Sequence, residues 1–279
     1  MIYGEAYRNV QKLLKSAGIE NEISDAWFLM EEVCGINRSF YFLHEMEEMP
    51  GEQYEKLLEI AAKRCERIPL QYLTGQQEFM GLAFKVTPDV LIPRQDTEIL
   101  VETALNYLKP GMKVLDLCTG SGCIAVSLKH YQPEIQMTAA DISAPALKVA
   151  AYNSDKNQTE IRFLQSDLFE KTEGEFDVIV SNPPYIPSDV IETLMPEVRD
   201  YEPRKALDGA LDGLHFYREI AKEGIRYLKE EGILIFEIGC DQGGAVSEIL
   251  NRKGFTEILV LKDLAGLDRV VIGRRAKHV

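Results

Sequence analysis

Apolar positions near the start of the chain recur three and four residues apart. Ala6, Val10, Leu13, Leu14 and Ala17 make one such stripe, and Gly18 stops it. Ser24 is placed to cap a second helix whose apolar side holds Trp27, Met30 and Val33. A third helix is predicted from Glu52 to Glu66, with Leu57, Leu58, Ala61 and Ala62 inward, and Pro69 ends it. No strand pattern interrupts this stretch, so residues 1–74 read as a small helical bundle. The period then changes. Gln77–Met80 and Leu82–Val86 flank Gly81 and predict a hairpin within a linker of residues 75–90.

Residues 91–279 alternate short apolar runs with helical stripes. Strands are predicted at Val114–Leu117, Gln136–Ala140, Ile161–Leu164, Asp177–Val180 and Ile233–Phe236. Helices are predicted after Ile124, through Ala146 to Ala150, from His215 to Leu228 and from Ala245 to Asn251. Two last strands, Glu257–Leu261 and Arg269–Ile272, lie close enough to form an antiparallel hairpin. Repeated strand–helix units imply an α/β fold with a mostly parallel sheet covered on both faces.

Composition narrows the function. A chain of 279 residues suits one large domain plus a small one. Apolar content of 46% and charged content of 27% are those of a soluble globular protein. The net charge of −14 disfavours a nucleic-acid backbone as partner and favours a protein or small-molecule substrate. Five cysteines without a C-x-x-C spacing point to reduced thiols and no metal site. Met1–Arg8 is polar, without the apolar centre of a signal peptide, and no apolar run suits a membrane span. A cytoplasmic protein is expected.

Asp116-Leu117-Cys118-Thr119-Gly120-Ser121-Gly122 joins the first parallel strand to its helix. Its glycines allow a tight turn and close approach of backbone to a ligand. Asp141 ends the second strand, where a carboxylate can grip a ribose diol. Gly120-x-Gly122-x-x-Ala125 also satisfies the dinucleotide fingerprint, so the loop alone leaves NAD open. Asp116 discriminates. A carboxylate repels a pyrophosphate but attracts the ammonium and sulfonium of S-adenosylmethionine. After the third strand, Asp167 can accept from an adenine amino group and Leu168 can pack on the ring, although the same residues suit a plain turn.

Asn182-Pro183-Pro184-Tyr185 follows the fourth strand. The prolines end the strand and supply no backbone donors. A nitrogen bearing two hydrogens can donate one to the Asn182 side-chain oxygen and the other to the Pro183 carbonyl. Tyr185 offers a flat face for a planar amide or base. The third direction of the nitrogen is left open to a methyl sulfonium, and no general base stands out in the motif.

Taken together these motifs resemble those of the peptide-chain release factor glutamine methyltransferases, the HemK/PrmC family. The resemblance includes the helical leader, Gly75–Leu82, Leu91–Glu98, Asp116–Gly122, Asp141–Ser143, Asn182–Tyr185 and Leu207–Leu214. Two departures are Gln95, where a proline is expected, and Leu168, where some members have tryptophan. The resemblance implies a class I S-adenosylmethionine methyltransferase fold, with seven strands and an antiparallel last one. It implies that residues 118–122, Asp116, Asp141, Asp167, Leu168 and Asn182 bind the cofactor, and that Asn182, Pro183, Pro184 and Tyr185 hold a glutamine amide. The implied substrate is the Gly-Gly-Gln loop of class-1 release factors, docked by residues 1–74, with a monomer and no direct nucleic-acid or membrane partner. A ribosomal-protein glutamine, an amino group in DNA and a non-catalytic or NAD-binding α/β protein are the alternatives. Arg94, beside Asp96 and Glu98, is either a surface ion pair or part of a stretch closing over the cofactor.

Overall fold

The computed structural model describes residues 1–277, which form two compact units. The first comprises Met1–Gln76 together with Met195–Tyr201. Its helices are α1 (Tyr3–Ser16), α2 (Glu22–Cys34), α3 (Arg38–His44), α4 (Gly51–Cys65) and α5 (Leu70–Thr74), and Pro196–Arg199 adds a single helical turn. Val10, Leu14, Trp27, Leu29, Met30, Leu57 and Ala61 fill its core. α2 starts two residues before Ser24, whose hydroxyl donates to the Asn21 carbonyl at 3.0 Å from within the first turn instead of capping it.

The inward stripe of α4 runs Leu57, Ala61, Arg64, and Ala62 faces solvent. Arg64 is therefore a buried cation. Its Nε donates to Asp25 Oδ2 at 2.8 Å and its Nη1 to Glu197 Oε1 at 3.0 Å. Arg67 Nη1 reaches the same Glu197 oxygen at 3.2 Å. Burial raises the Glu197 carboxyl, but a backbone hydrogen bond and the two guanidinium groups outweigh it and hold the group below its ordinary value.

The second unit comprises Gln77–Leu194 and the described residues from Glu202 onward. Hairpin strands β1 (Gln76–Phe79) and β2 (Leu82–Lys85) place Phe79 and Phe84 in its core. Next come α6 (Glu98–Leu105), β3 (Lys113–Leu117), α7 (Cys123–Tyr131), β4 (Gln136–Asp141) and α8 (Ala144–Lys156). They are followed by β5 (Ile161–Gln165), β6 (Phe176–Ser181), α9 (His215–Tyr227), β7 (Leu228–Glu237), α10 (Gly243–Arg252), β8 (Phe255–Lys262) and β9 (Asp268–Arg275). The seven-stranded sheet has the order β5-β4-β3-β6-β7-β9-β8, with only β9 antiparallel to its neighbours. This is the class I methyltransferase topology.

Side chains alternate between the faces along each central strand. Val114, Val178, Val180, Ile233 and Ile235 pack with α6 and α7, while Leu115, Leu117, Ile179, Leu234 and Phe236 pack with α9 and α10. The same alternation directs Asp116, Asn182 and Glu237 toward the α6–α7 side. Chain order reverses between β3 and β6, which pair in parallel with Leu117 opposite Ser181. That switch point is where a ligand crevice opens beyond the carboxyl ends of a parallel sheet. Among the described residues no helix is long and apolar enough to cross a membrane.

Candidate active site

A cavity of about 1080 Å³ opens at this switch point. Ser181 Oγ donates to the Leu117 carbonyl at 2.7 Å and ties the two strand ends together. Cys118, Gly120, Asp141, Asp167, Leu168, Asn182 and Pro184 line the cavity. Asp116, Thr119, Ser121, Gly122, Pro183 and Tyr185 stand outside its lining. Asp141 orders the glycine loop, since its Oδ2 accepts from Gly120 N and its Oδ1 from Ser143 N, both at 2.8 Å. A carboxylate has about four acceptor positions, so two are left for hydroxyl groups.

The two glycines of the loop differ. A methyl group on Gly120 would meet nothing within 4 Å, which leaves an open cradle. One on Gly122 would lie 3.0 Å from Ala150 Cβ, so Gly122 serves the close packing of α7 on α8. Cys118 (φ 61°), Leu168 (φ 44°) and Ala210 (φ 68°) hold left-handed backbone without being glycine, and all three line the cavity. Such strain persists where surrounding structure enforces it, commonly at ligand sites.

The loop of Asn182–Tyr185 is clamped from behind by Leu207–Leu214. Ile186 N donates to Leu207 O at 3.0 Å and Gly209 N to Ile186 O at 2.8 Å. Gly213 (φ 70°) tolerates no side chain, because its Cβ would fall 2.3 Å from the Tyr185 carbonyl oxygen. Gln242 Nε2 donates to that oxygen at 3.0 Å, while its Oε1 accepts from Gly239 N at 2.9 Å and from the Tyr217 hydroxyl at 3.3 Å. Burial pushes the Tyr185 hydroxyl up to about 12, so it stays neutral.

Asn182 Nδ2 donates to Thr97 Oγ1 at 3.4 Å. Every charged residue around Thr97 is tied to a distant segment. Arg94 pairs with Glu202, which also accepts from Ile92 N at 3.3 Å. Asp96 meets Arg269 at 3.1 Å, and Glu98 accepts from Met80 N at 2.6 Å. Arg94 thus pairs with neither of its acidic neighbours in sequence.

Two carboxyls behind the cavity lack a full set of partners. Asp116 is completely buried, its Oδ2 accepts from the Thr119 hydroxyl at 2.5 Å, and its Oδ1 has no partner. Glu237 is 1% exposed with Oε2 unpartnered. Desolvation pushes each up to about 7. Thr97, Gln242 and Glu237 escaped the sequence reading. One signal was present, because Glu237 ends an apolar strand as Asp116 and Asp141 do near the ends of theirs.

Comparison with known proteins decides the family. The family model "Methyltransferase small domain" matches residues 95–195, and "PrmC N-terminal domain" matches residues 5–75. The release factor glutamine methyltransferase of Geobacter sulfurreducens is 41% identical over 262 residues, covering 94% of this chain and 92% of its own. That of Moorella thermoacetica is 41% identical over 281 residues, covering 99% and 98%. The chain belongs to the release factor glutamine methyltransferase family. The two family models fall on the two units, the N-terminal one on helices α1–α5 and the methyltransferase one on the glycine loop and the Asn182–Tyr185 loop. Solved structures agree on the fold. A methyltransferase from Pyrococcus furiosus superposes with a TM-score of 0.56 at 18% identity, over 77% of this chain and all of its own. A Thermus thermophilus 16S rRNA N2 G1207 methyltransferase, in complex with AdoMet and guanosine, superposes with a TM-score of 0.54 at 18% identity, over 72% of this chain and 49% of its own.

Proposed function

We propose that this member of the family methylates the side-chain amide nitrogen of the glutamine in the Gly-Gly-Gln loop of class-1 release factors, using S-adenosylmethionine. The observation that carries the reading is the juxtaposition of Asn182 with Cys118 and Gly120 on one cavity wall, at adjacent strand ends. The residues present fit the cofactor. Asp141 has acceptor positions for the ribose hydroxyls, Leu168 supplies an apolar wall, and the backbone at Gly120 is open. Asp141, Asp167 and Glu170 line the cavity with negative charge, which suits a cationic ligand better than a pyrophosphate. When bound, the cofactor supplies an electrophilic methyl group on a sulfonium, which leaves as a neutral thioether.

The chain's own contribution is orientation. Asn182 Oδ1 and the Pro183 carbonyl take the two amide hydrogens, and the Tyr185 ring is held for the amide to rest on. Holding a weak nucleophile in this way supplies several of the roughly 7–11 kcal/mol available to well-placed reactants. No side chain need remove the proton before transfer, because the methylated nitrogen loses it to water. The helical unit is proposed to dock the protein substrate. Phe42, Leu43 and Met46, at the end of α3 and just beyond it, expose 70–80% of their surface and support that role. The proposed setting is the cytoplasm, where translation takes place.

The test is methyl-labelled cofactor incubated with intact release factor and with a form whose target glutamine is changed to alanine. Label on the first and none on the second is expected. Label that persists without the glutamine, or that goes only to a ribosomal protein, would overturn the assignment.

A further inference from the structure

Glu237 is a buried carboxyl to which the reading above gives no task. It ends β7, whose Phe236 pairs with Ser181 of β6, so Glu237 and Asn182 follow on adjacent strand ends, and hydrogen bonding from Thr97 and Asn182 acts to lower its carboxyl against burial. Thr97 is itself 2% exposed and accepts from Asn182 Nδ2 at 3.4 Å. A side-chain carboxamide has one end that donates and one that accepts. Whichever end meets Glu237 decides which end is left for the cavity that Asn182 lines. An ionised carboxylate can only accept, so it takes the NH₂ end of Asn182 and leaves Oδ1 free.

We propose that Glu237, with Thr97, is a positioning pair that fixes the orientation of the Asn182 carboxamide, so that Oδ1 meets the incoming substrate nitrogen. The proposal rests on the reading of Asn182 as an acceptor for the substrate amide. With the amide reversed, its NH₂ group would face the two N–H bonds of the glutamine, donor against donor, and its oxygen would face a carboxylate. An unpaired buried polar group is costly enough to make the orientation decisive. The arrangement also explains why a buried acid lacks a direct cation partner. A guanidinium on Glu237 would compete with Asn182 for the same oxygens.

The pair carries a pH dependence. Arg269, Asp96, Tyr185, Tyr217 and the Cys123 thiol surround Glu237 electrostatically. Arg269 is shared with Asp96 and Asp263, and burial pushes both tyrosines and the thiol upward, so they stay neutral. Glu237 itself is pushed up to about 7 by burial. Once protonated it can donate to Asn182 and permit the reversed amide, so turnover falls as pH drops through about 7.

Steady-state methylation of intact release factor tests the proposal in four variants. Glu237→Leu is expected to lower kcat by about 100-fold, the scale of a misplaced reacting group, with KM and cofactor affinity within about threefold of wild type. Thr97→Val is expected to lower kcat by about tenfold in the same pattern. Glu237→Gln keeps an acceptor oxygen on a side chain of the same shape. Its NH₂ end can also donate, as the protonated acid can, so kcat is expected to lie between those of wild type and Glu237→Leu and to lose the acid limb of the profile. Wild-type turnover in Glu237→Leu and Thr97→Val overturns the proposal. So does a Glu237→Leu protein whose cofactor affinity and melting temperature fall in step with kcat. Wild-type turnover by Asn182→Ala would instead remove the acceptor reading of Asn182, and the proposal with it.

Discussion

Each unit of this protein buries carboxyl groups, and Asp25 and Glu197 of the helical unit meet a cation that Asp116 and Glu237 of the methyltransferase unit lack. In the helical unit, Asp25 and Glu197 share Arg64, and Glu197 has Arg67 as well. In the methyltransferase unit, Asp116 and Glu237 each keep one oxygen without a partner and are pushed up to about 7. A buried carboxylate held by a guanidinium ties the segments that carry the two groups together. One left unpaired lowers stability, and it persists where the chemistry needs it. The contrast separates a scaffold from a working site within a single chain.

The largest effect is expected where a buried guanidinium holds the carboxylates. Arg64→Met strands the buried Asp25, leaves Glu197 with Arg67 alone, and should cost about 3–5 kcal/mol. Trp27, the single tryptophan, lies in the core of the same unit, so urea unfolding followed by its fluorescence reads that unit. An unchanged midpoint would break the contrast.

Next come the unpaired carboxyls, with the opposite sign. Their ordinary values of 3.8 and 4.5 lie below the folded value of about 7. Each therefore contributes stability that is full below about pH 4 and is lost as pH rises through about 7. Asp116→Asn and Glu237→Gln should each stabilise the methyltransferase unit by on the order of 3 kcal/mol at pH 8 and by little near pH 4. Thermal melts at the two pH values decide it. Equal gains at both would mean that titration is not the cause.

Acid should separate the units further. The folded value of Glu197 is lowered, so its contribution is present above the ordinary 4.5 and is lost as pH falls through the folded value. The midpoint read by Trp27 should therefore drop on acidification, and Arg64→Met should blunt that drop. The smallest effect is expected at Arg67, whose side chain is 34% exposed. With Arg64 still in place, Arg67→Ala should cost about 1 kcal/mol or less in the same urea experiment. A loss as large as that from Arg64→Met would move the centre of the pair to the surface.

The alternation of apolar residues revealed the parallel sheet because strands buried on both faces are apolar throughout, as in Val178-Ile179-Val180. The short turns at Pro196–Arg199 and Arg204–Leu207 carry too few positions to show a period. Arg64 was invisible for another reason. A helical stripe is found by its apolar members, and the last inward position of α4 is a cation whose partner lies 133 residues away. At the site, Asn182 and the glycine loop were legible because their backbone demands leave proline and glycine in the sequence. Thr97, Gln242 and Glu237 make no such demand. They act through neighbours from other strands and loops, which only the register of the sheet brings together.

The sharing of Met195–Tyr201 with the helical unit bears on how the chain matures. Helices α1–α5 leave the ribosome first, and Asp25 can meet Arg64 at once. Glu197 arrives only after the switch-point strands have been made. Residue 201 follows residue 76 by 125 positions, roughly ten seconds of synthesis at ribosomal rates. The N-terminal unit is thus begun first and finished late, and its last piece is delivered by the loop that follows Asn182–Tyr185.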